Sequence, residues 1–323
     1  MRSQKTSDSF LPKVRKNVRN LYLALHPKKS LAEAIREEHW KDKVSGYLSD
    51  VWFSRLISPE EIEEAWRSFP EALFDGMDEF ELYSKELYQS EVPKILHKAE
   101  SELPHRYELY DANRTICERY FAYVRKYKPR VLVQTGVHNG VCTLVILEAL
   151  RINGQGTLYS ISDPEEEKPL RPVNFKDGVG YDYSGSTTVA RGRPSSAEPG
   201  SYAVPPGKKI GWVVPDEYSS YWSHRTGKPG RELPLLLAEL DQIDMFVHDS
   251  EHSLSTMFCE FKLAWEWLRP NGLIFSHHIG WNEAFSTFIQ EHDCDFGLVM
   301  VTYRRDDRPR YSAPGCAGYI RKR

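Results

Sequence analysis

At 323 residues, 40% hydrophobic and 28% charged, the chain is long enough to bury a substantial core. Its net charge of −3 gives no electrostatic reason to expect nucleic acid as a partner. Five cysteines (Cys117, Cys142, Cys259, Cys294, Cys316) form no CxxC pair, which argues against a zinc site or a disulfide frame and for a cytoplasmic protein with reduced thiols.

No apolar run reaches the length of a membrane span, and LYLAL (21–25) is too short for a secretory signal. Residues 1–30 carry eight Lys or Arg against one acid, Asp8, and read as a basic arm. From 31 to 128 the pattern is helical. Ser58 as N-cap, Pro59 at the first helical position and Glu61 closing a capping box begin one helix, whose face is Ile62, Ala65, Trp66 and Phe69. ICERYFAYVRKY (116–127) is a second helix, and the region reads as a helical cap ahead of the main sheet.

The rhythm changes at 131. VLVQTG (131–136) is an apolar strand that stops at glycine, CTLVILEAL (142–150) is a helix, and TLYSIS (157–162) is the next strand. IDMFVHD (243–249) and GLIFSHH (272–278) are two more, separated by a helix whose face is Leu254, Met257, Phe258, Phe261, Ala264, Trp267 and Leu268. FGLVMVTYRR (296–305) and GYIRKR (318–323) form an antiparallel terminal pair. Strands alternating with amphipathic helices predict a mostly parallel sheet with helices on both sides. Residues 164–210, dense in Pro, Gly and Ser, read as a long loop inserted over the sheet's carboxyl edge.

TGVHNG (135–140) lies between strand and helix, where open α/β sheets bind ligands. The spacing is GxxxG, Gly136 to Gly140, and not the GxGxxG of a dinucleotide fold; no GxxxxGK[ST] loop occurs. The second notable stretch is HDSEH (248–252), four titratable side chains within five positions at a strand end, where fold geometry collects catalytic groups.

Taken together, VLVQTGVHNGVCTLVILEALRINGQGTLYSIS, IGWVVP (210–215), ELPLLLAELDQIDMFVHDSEHS and LAWEWLRPNGLIFSHHIGWNEAF resemble, in order and spacing, the class I S-adenosylmethionine-dependent methyltransferases. The resemblance is nearest to the branch with macrocin O-methyltransferase-like and cephalosporin hydroxylase-like proteins, and spans about half the chain. It implies an α/β Rossmann-like class I methyltransferase fold with S-adenosyl-L-methionine as cofactor. Thr135, Gly136, Val137, Asn139 and Gly140 would line its methionine and ribose part, with His248 packed beneath. Ser162 and Asp163 stand where a carboxylate usually meets the ribose hydroxyls. Gln134 replaces the first-strand acid that helps hold the ammonium end, and TGKP (226–229) lacks the family's acid after glycine.

By resemblance to metal-dependent O-methyltransferases of the catechol type, Asp249 is the first metal ligand and His252 the general base. A histidine suits that role because its pKa lies near neutrality. His277 and His278 stand where those relatives carry acids, so magnesium is disfavoured. One carboxylate with imidazoles suits zinc, iron or manganese, and Asp249, His252, His277 and His278 are the candidates for both catalysis and a divalent metal. Side-chain alternation along a strand leads us to expect only one of His277 and His278 in the cavity.

The expected activity is methyl transfer to an oxygen or nitrogen of a small molecule such as a sugar or secondary metabolite, with no nucleic-acid partner and a homo-oligomer left open. The alternative is a repurposed, non-catalytic member of the fold that binds a ligand or a protein partner.

Overall fold

Alternation along the central strands decides which side chains meet which layer of helices. In a computed structural model, which describes residues 73–103, 114–167, 171–175, 178–182, 204–279, 284–300 and 317–323, Leu132, Met245, Val247, Leu273 and Phe275 face one layer. Val133, Phe246, Ile274 and Ile320 face the other. The basic arm and the Ser58–Glu61 capping box lie outside the described residues.

The first layer holds α1 (Met77–Gln89), α2 (Val92–Ser101), α3 (Arg114–Tyr127) and α4 (Val141–Asn153). The second holds α5 (Pro229–Glu239), α6 (Leu254–Trp267) and α7 (Ala284–Glu291). Ten consecutive residues of α4, Val141 to Leu150, are buried, which explains why that helix is apolar on nearly every side. Ser253 caps α6 by accepting from the Thr256 amide at 3.2 Å. Among the described residues no helix is long and apolar enough to cross a membrane.

Between the layers lie β1 (Val131–Thr135), β2 (Thr157–Ser162), β5 (Trp222–Thr226), β6 (Ile243–His248), β7 (Leu268–Ser276), β8 (Cys294–Met300) and β9 (Ala317–Lys322). Their order is β5-β2-β1-β6-β7-β9-β8. The first five are parallel, and β9 and β8 run antiparallel at one edge. This is the mostly parallel, Rossmann-like α/β sheet with an antiparallel terminal pair that the sequence predicts. Chain order reverses direction beside β1, where β2 pairs on one side and β6 on the other, so the switch point opens between β1 and β6.

Three strands differ from the sequence reading. The edge strand β5, WSHRT, carries no apolar alternation, because it is half exposed and paired on one side only. Within the stretch read as loop, β3 (Arg171–Phe175) and β4 (Gly178–Asp182) pair antiparallel as a separate two-stranded unit.

Candidate active site

Strand register builds the site. Thr135, His248 and Ser276 are aligned neighbours at the carboxyl ends of β1, β6 and β7. One residue further, Asp249 donates its amide to the Thr135 carbonyl at 2.9 Å, and His277 donates to the His248 carbonyl at 3.0 Å. Gly136 donates to the Ile161 carbonyl at 2.9 Å, so its turn is tied to β2. Gly136 has φ of +83°, and a Cβ there would fall 1.9 Å from the Asp249 carbonyl oxygen. Only glycine lets the β1 and β6 ends approach this closely.

Asp249 therefore stands at the switch point with histidines around it. His277 Nδ1 lies 3.4 Å from Asp249 Oδ1 and His252 Nε2 lies 3.8 Å from the same oxygen. The rings of His252 and His278 are 4.3 Å apart, centroid to centroid. Ligand-capable atoms of Asp249, His252 and His278 all lie within 4.8 Å of one another, as do those of Cys142, Asp249 and His277.

Alternation leads us to expect only one of the adjacent histidines in the cavity; each brings a ligand-capable atom within 4.8 Å of the Asp249 carboxylate, in a different cluster. β7 ends at Ser276, so both lie beyond the strand. His277 continues the alternation of Phe275 toward the α3–α4 layer, beside Tyr120 and Cys142. His278, in the left-handed region at φ +51°, turns the other way, toward His252. The two side chains diverge, one toward Cys142 and the other toward His252.

Burial, and then the neighbouring imidazoles His278, His248, His277 and His138, push His252 well below its ordinary range. Burial likewise lowers His278, helped by His277, His248 and His138. Both are neutral bases at neutral pH. Burial alone would lower His277 too, but the Asp249 carboxylate and Cys142 carry it above its usual value. The Cys142 thiol is held well above its ordinary value by its hydrogen bond with Cys117 and by burial.

Sequence reasoning missed Glu260, on the second turn of α6. Its buried carboxylate accepts from Thr135 Oγ1 at 2.6 Å and Ser250 Oγ at 2.9 Å, and lies 2.7 Å from His248 Nδ1. A glutamate on the apolar face of a helix, near Met257, Phe261 and Ala264, is the signal that could have found it.

The remaining predicted positions take several roles. Gln134 is buried, and its side-chain carbonyl accepts from Thr143 Oγ1 at 2.9 Å and Ser160 Oγ at 3.1 Å. Ser162 Oγ lies 2.9 Å from His224 Nε2, while Asp163 is buried beyond it. Val137, Asn139 and Gly140 form the loop before α4. Trp212 Nε1 donates to Asn139 Oδ1 at 2.8 Å, and the amides of Gly211 and Val213 donate to the carbonyls of His138 and Asn139. Glu166 accepts from the His138 amide at 3.0 Å, and burial raises the pKa of its carboxyl. Segment 204–215 thus closes over the glycine loop, its approach eased by Gly140 and Gly211.

An open sheet with a glycine-bounded turn at its switch point and titratable groups at the strand ends defines the class. Residues 133–279 match the family model described as a methyltransferase domain. No curated protein sequence matches the chain. Among solved structures, the chain is similar to an O-methyltransferase from Bacillus cereus in complex with SAH, at 13% identity and a TM-score of 0.43, covering 71% of this chain and 88% of that one. It is also similar to TomG from Streptomyces achromogenes, an O-methyltransferase involved in tomaymycin synthesis solved with SAM, at 12% identity and 0.41, covering 83% and 100%. A third is the SAH-bound methyltransferase PaMTH1 of Podospora anserina, at 13% and 0.42, covering 72% and 87%. None of these likenesses decides what this chain acts on.

Proposed function

We infer that the chain transfers a methyl group from S-adenosyl-L-methionine to an oxygen or nitrogen of a small molecule, a sugar or other secondary metabolite in the manner of the macrocin-like branch. The observation that carries the reading is the close approach of Asp249 to the Gly136 turn at the sheet's switch point, with His252 beside the Asp249 carboxylate. Two buried polar atoms at this edge, His277 Nε2 and Tyr120 Oη, have no hydrogen-bond partner among the described residues. A site that receives a polar ligand presents such atoms.

When bound, the cofactor supplies an electrophilic methyl on its sulfonium. His252, neutral because it is buried, takes the acceptor's proton, and Asp249 beside its Nε2 stabilises the imidazolium that forms. The strand ends fix the acceptor in line, which contributes through positioning. Segment 204–215 and the inserted 164–210 region select the acceptor, with residues 129–323 as the catalytic domain and 31–128 as its helical cap.

One carboxylate and neutral imidazoles also fit a zinc-class ion better than magnesium. Asp249, His252 and His278 would hold such an ion, which would supply Lewis acidity toward the acceptor. Elemental analysis, with and without chelator, separates this from the metal-free reading.

Calorimetric titration with S-adenosylmethionine and S-adenosylhomocysteine tests the proposal. Micromolar binding is expected, with Asp249→Ala leaving affinity within a few fold while abolishing turnover. A folded sample that binds neither ligand overturns it. A specific observation favours the second reading in that case: Gln134 and Ser162, both expected to meet the cofactor, spend their side chains on Thr143, Ser160 and His224. The fold would then serve ligand or partner binding without catalysis.

A further inference from the structure

The base assigned above has a buried support that methyl transfer itself does not require. Glu260 of α6 reaches across the layer boundary to the ends of β1 and β6. It accepts from Thr135 Oγ1 and Ser250 Oγ, and its Oε2 lies 2.7 Å from His248 Nδ1. His248 is fully buried, and its other nitrogen, Nε2, lies 3.3 Å from His252 Nδ1. The imidazole planes of His248 and His252 are nearly perpendicular, at 79°, so an edge nitrogen of each ring meets the other.

Each contact constrains the next. A carboxylate that already receives two hydroxyl hydrogens offers only lone pairs, so His248 must present Nδ1–H to it. In the neutral imidazole that leaves Nε2 as an acceptor. His252 must then present Nδ1–H to His248, which leaves its own lone pair on Nε2, the atom facing Asp249 at 3.8 Å. The alternative tautomer of His252 would aim an N–H at Asp249 and have no lone pair for an incoming proton.

We propose that Glu260 and His248 are positioning residues that set the tautomer of His252, so that its Nε2 lone pair faces the Asp249 carboxylate and receives the acceptor's proton. This rests on the methyl-transfer reading for its purpose, but the tautomer chain can be measured without turnover. Glu260 also links three elements, so loss of its hydrogen bonds alone does not separate a structural role from a positioning one. The tautomer does.

The test is long-range nitrogen–proton NMR of the full chain labelled with ¹⁵N-histidine, at about pH 8, where an ordinary imidazole is neutral. In the wild type His248 and His252 are both expected to carry their proton on Nδ1 and to show a bare Nε2. In Glu260→Ala the fixed tautomer of His252 is lost, with Nε2–H becoming populated, while S-adenosylmethionine affinity by calorimetry stays within about three-fold. Partners that orient a metal-ligating histidine typically contribute about 10- to 100-fold, and a fall in turnover of that order is expected here. A wild-type His252 protonated at Nε2, or an unchanged His252 tautomer in Glu260→Ala, overturns the proposal. Should Glu260→Ala fail to fold, the wild-type spectrum alone decides. The predicted tautomers in a protein that does not bind S-adenosylmethionine would support the relay and overturn the methyl-transfer reading. Binding with a protonated Nε2 would do the reverse.

Discussion

Substituting Gly136 by alanine isolates the contact on which both fold and site depend. At φ +83° the new Cβ would sit 1.9 Å from the Asp249 carbonyl oxygen, 2.4 Å from its carbon and 2.9 Å from the Ser250 nitrogen. A side chain in the left-handed region costs about 1–2 kcal/mol. The obstacle is backbone and cannot rotate away, so the ends of β1 and β6 must part, straining the 2.9 Å bond from the Asp249 amide to Thr135. Overpacking of this kind adds about 1–3 kcal/mol. The total of about 2–5 kcal/mol corresponds to a drop in Tm of roughly 4–20 °C at about 2–4 °C per kcal/mol. Cofactor affinity should fall with it, because the Gly136 turn expected to line the cofactor is itself displaced. The paired control is Gly230→Ala in the first turn of α5, where no atom lies within 4 Å of the added methyl. It should be neutral or stabilise by about 0.5–1 kcal/mol. Thermal denaturation and calorimetry on both variants decide. A Gly136→Ala protein melting within about 2 °C of wild type, with unchanged affinity, would refute the close approach.

Three further outcomes are expected. His252 and His278 are held well below their ordinary range in the folded state, so as pH falls through about 6.5 the unfolded chain binds protons that the folded site refuses. Chelator-treated protein should therefore lose up to about 1.4 kcal/mol per pH unit for each of the two below that point. His277, raised in the fold, works oppositely: its contribution is complete below about 6.5 and is lost at higher pH. Melting curves of His252→Asn and His278→Asn should show a flatter acid slope; an unchanged slope in both contradicts the burial argument. Asp244 Oδ2 accepts from the amides of Arg130 and Val131 at 2.8 and 2.9 Å, and Oδ1 pairs with Arg269 at 2.8 Å. Asp244→Ala should lower urea stability by about 1–3 kcal/mol without altering cofactor affinity, as the clamp is at the far end of the sheet. Trp212→Phe keeps an aromatic side chain, though a smaller one, but removes the 2.8 Å bond to Asn139, and should weaken S-adenosylmethionine binding by about 1 kcal/mol, read by calorimetry.

How much was legible in advance differs between the elements and the site. VLVQT, TLYSIS and IDMFVH are apolar enough to be read as buried strands from composition and length, because a strand covered on both faces has no polar side to present. β5 was not legible: WSHRT is an edge strand whose pairing with β2, and not its own pattern, makes it a strand. The β3–β4 pair was hidden by the proline and glycine around it.

The order of secondary structure and the location of HDSEH at a strand end follow from hydrophobic periodicity, a local property that the amino-acid sequence determines by itself. What brings Glu260 to His248, and His277 and His278 to Asp249, is register between strands and the packing of α6 against them. Those contacts join residues distant along the chain. The left-handed backbone at His278, φ +51°, also leaves no periodic trace in the sequence. The tertiary structure alone decides them, because register and left-handed turns are settled by which surfaces can be buried together.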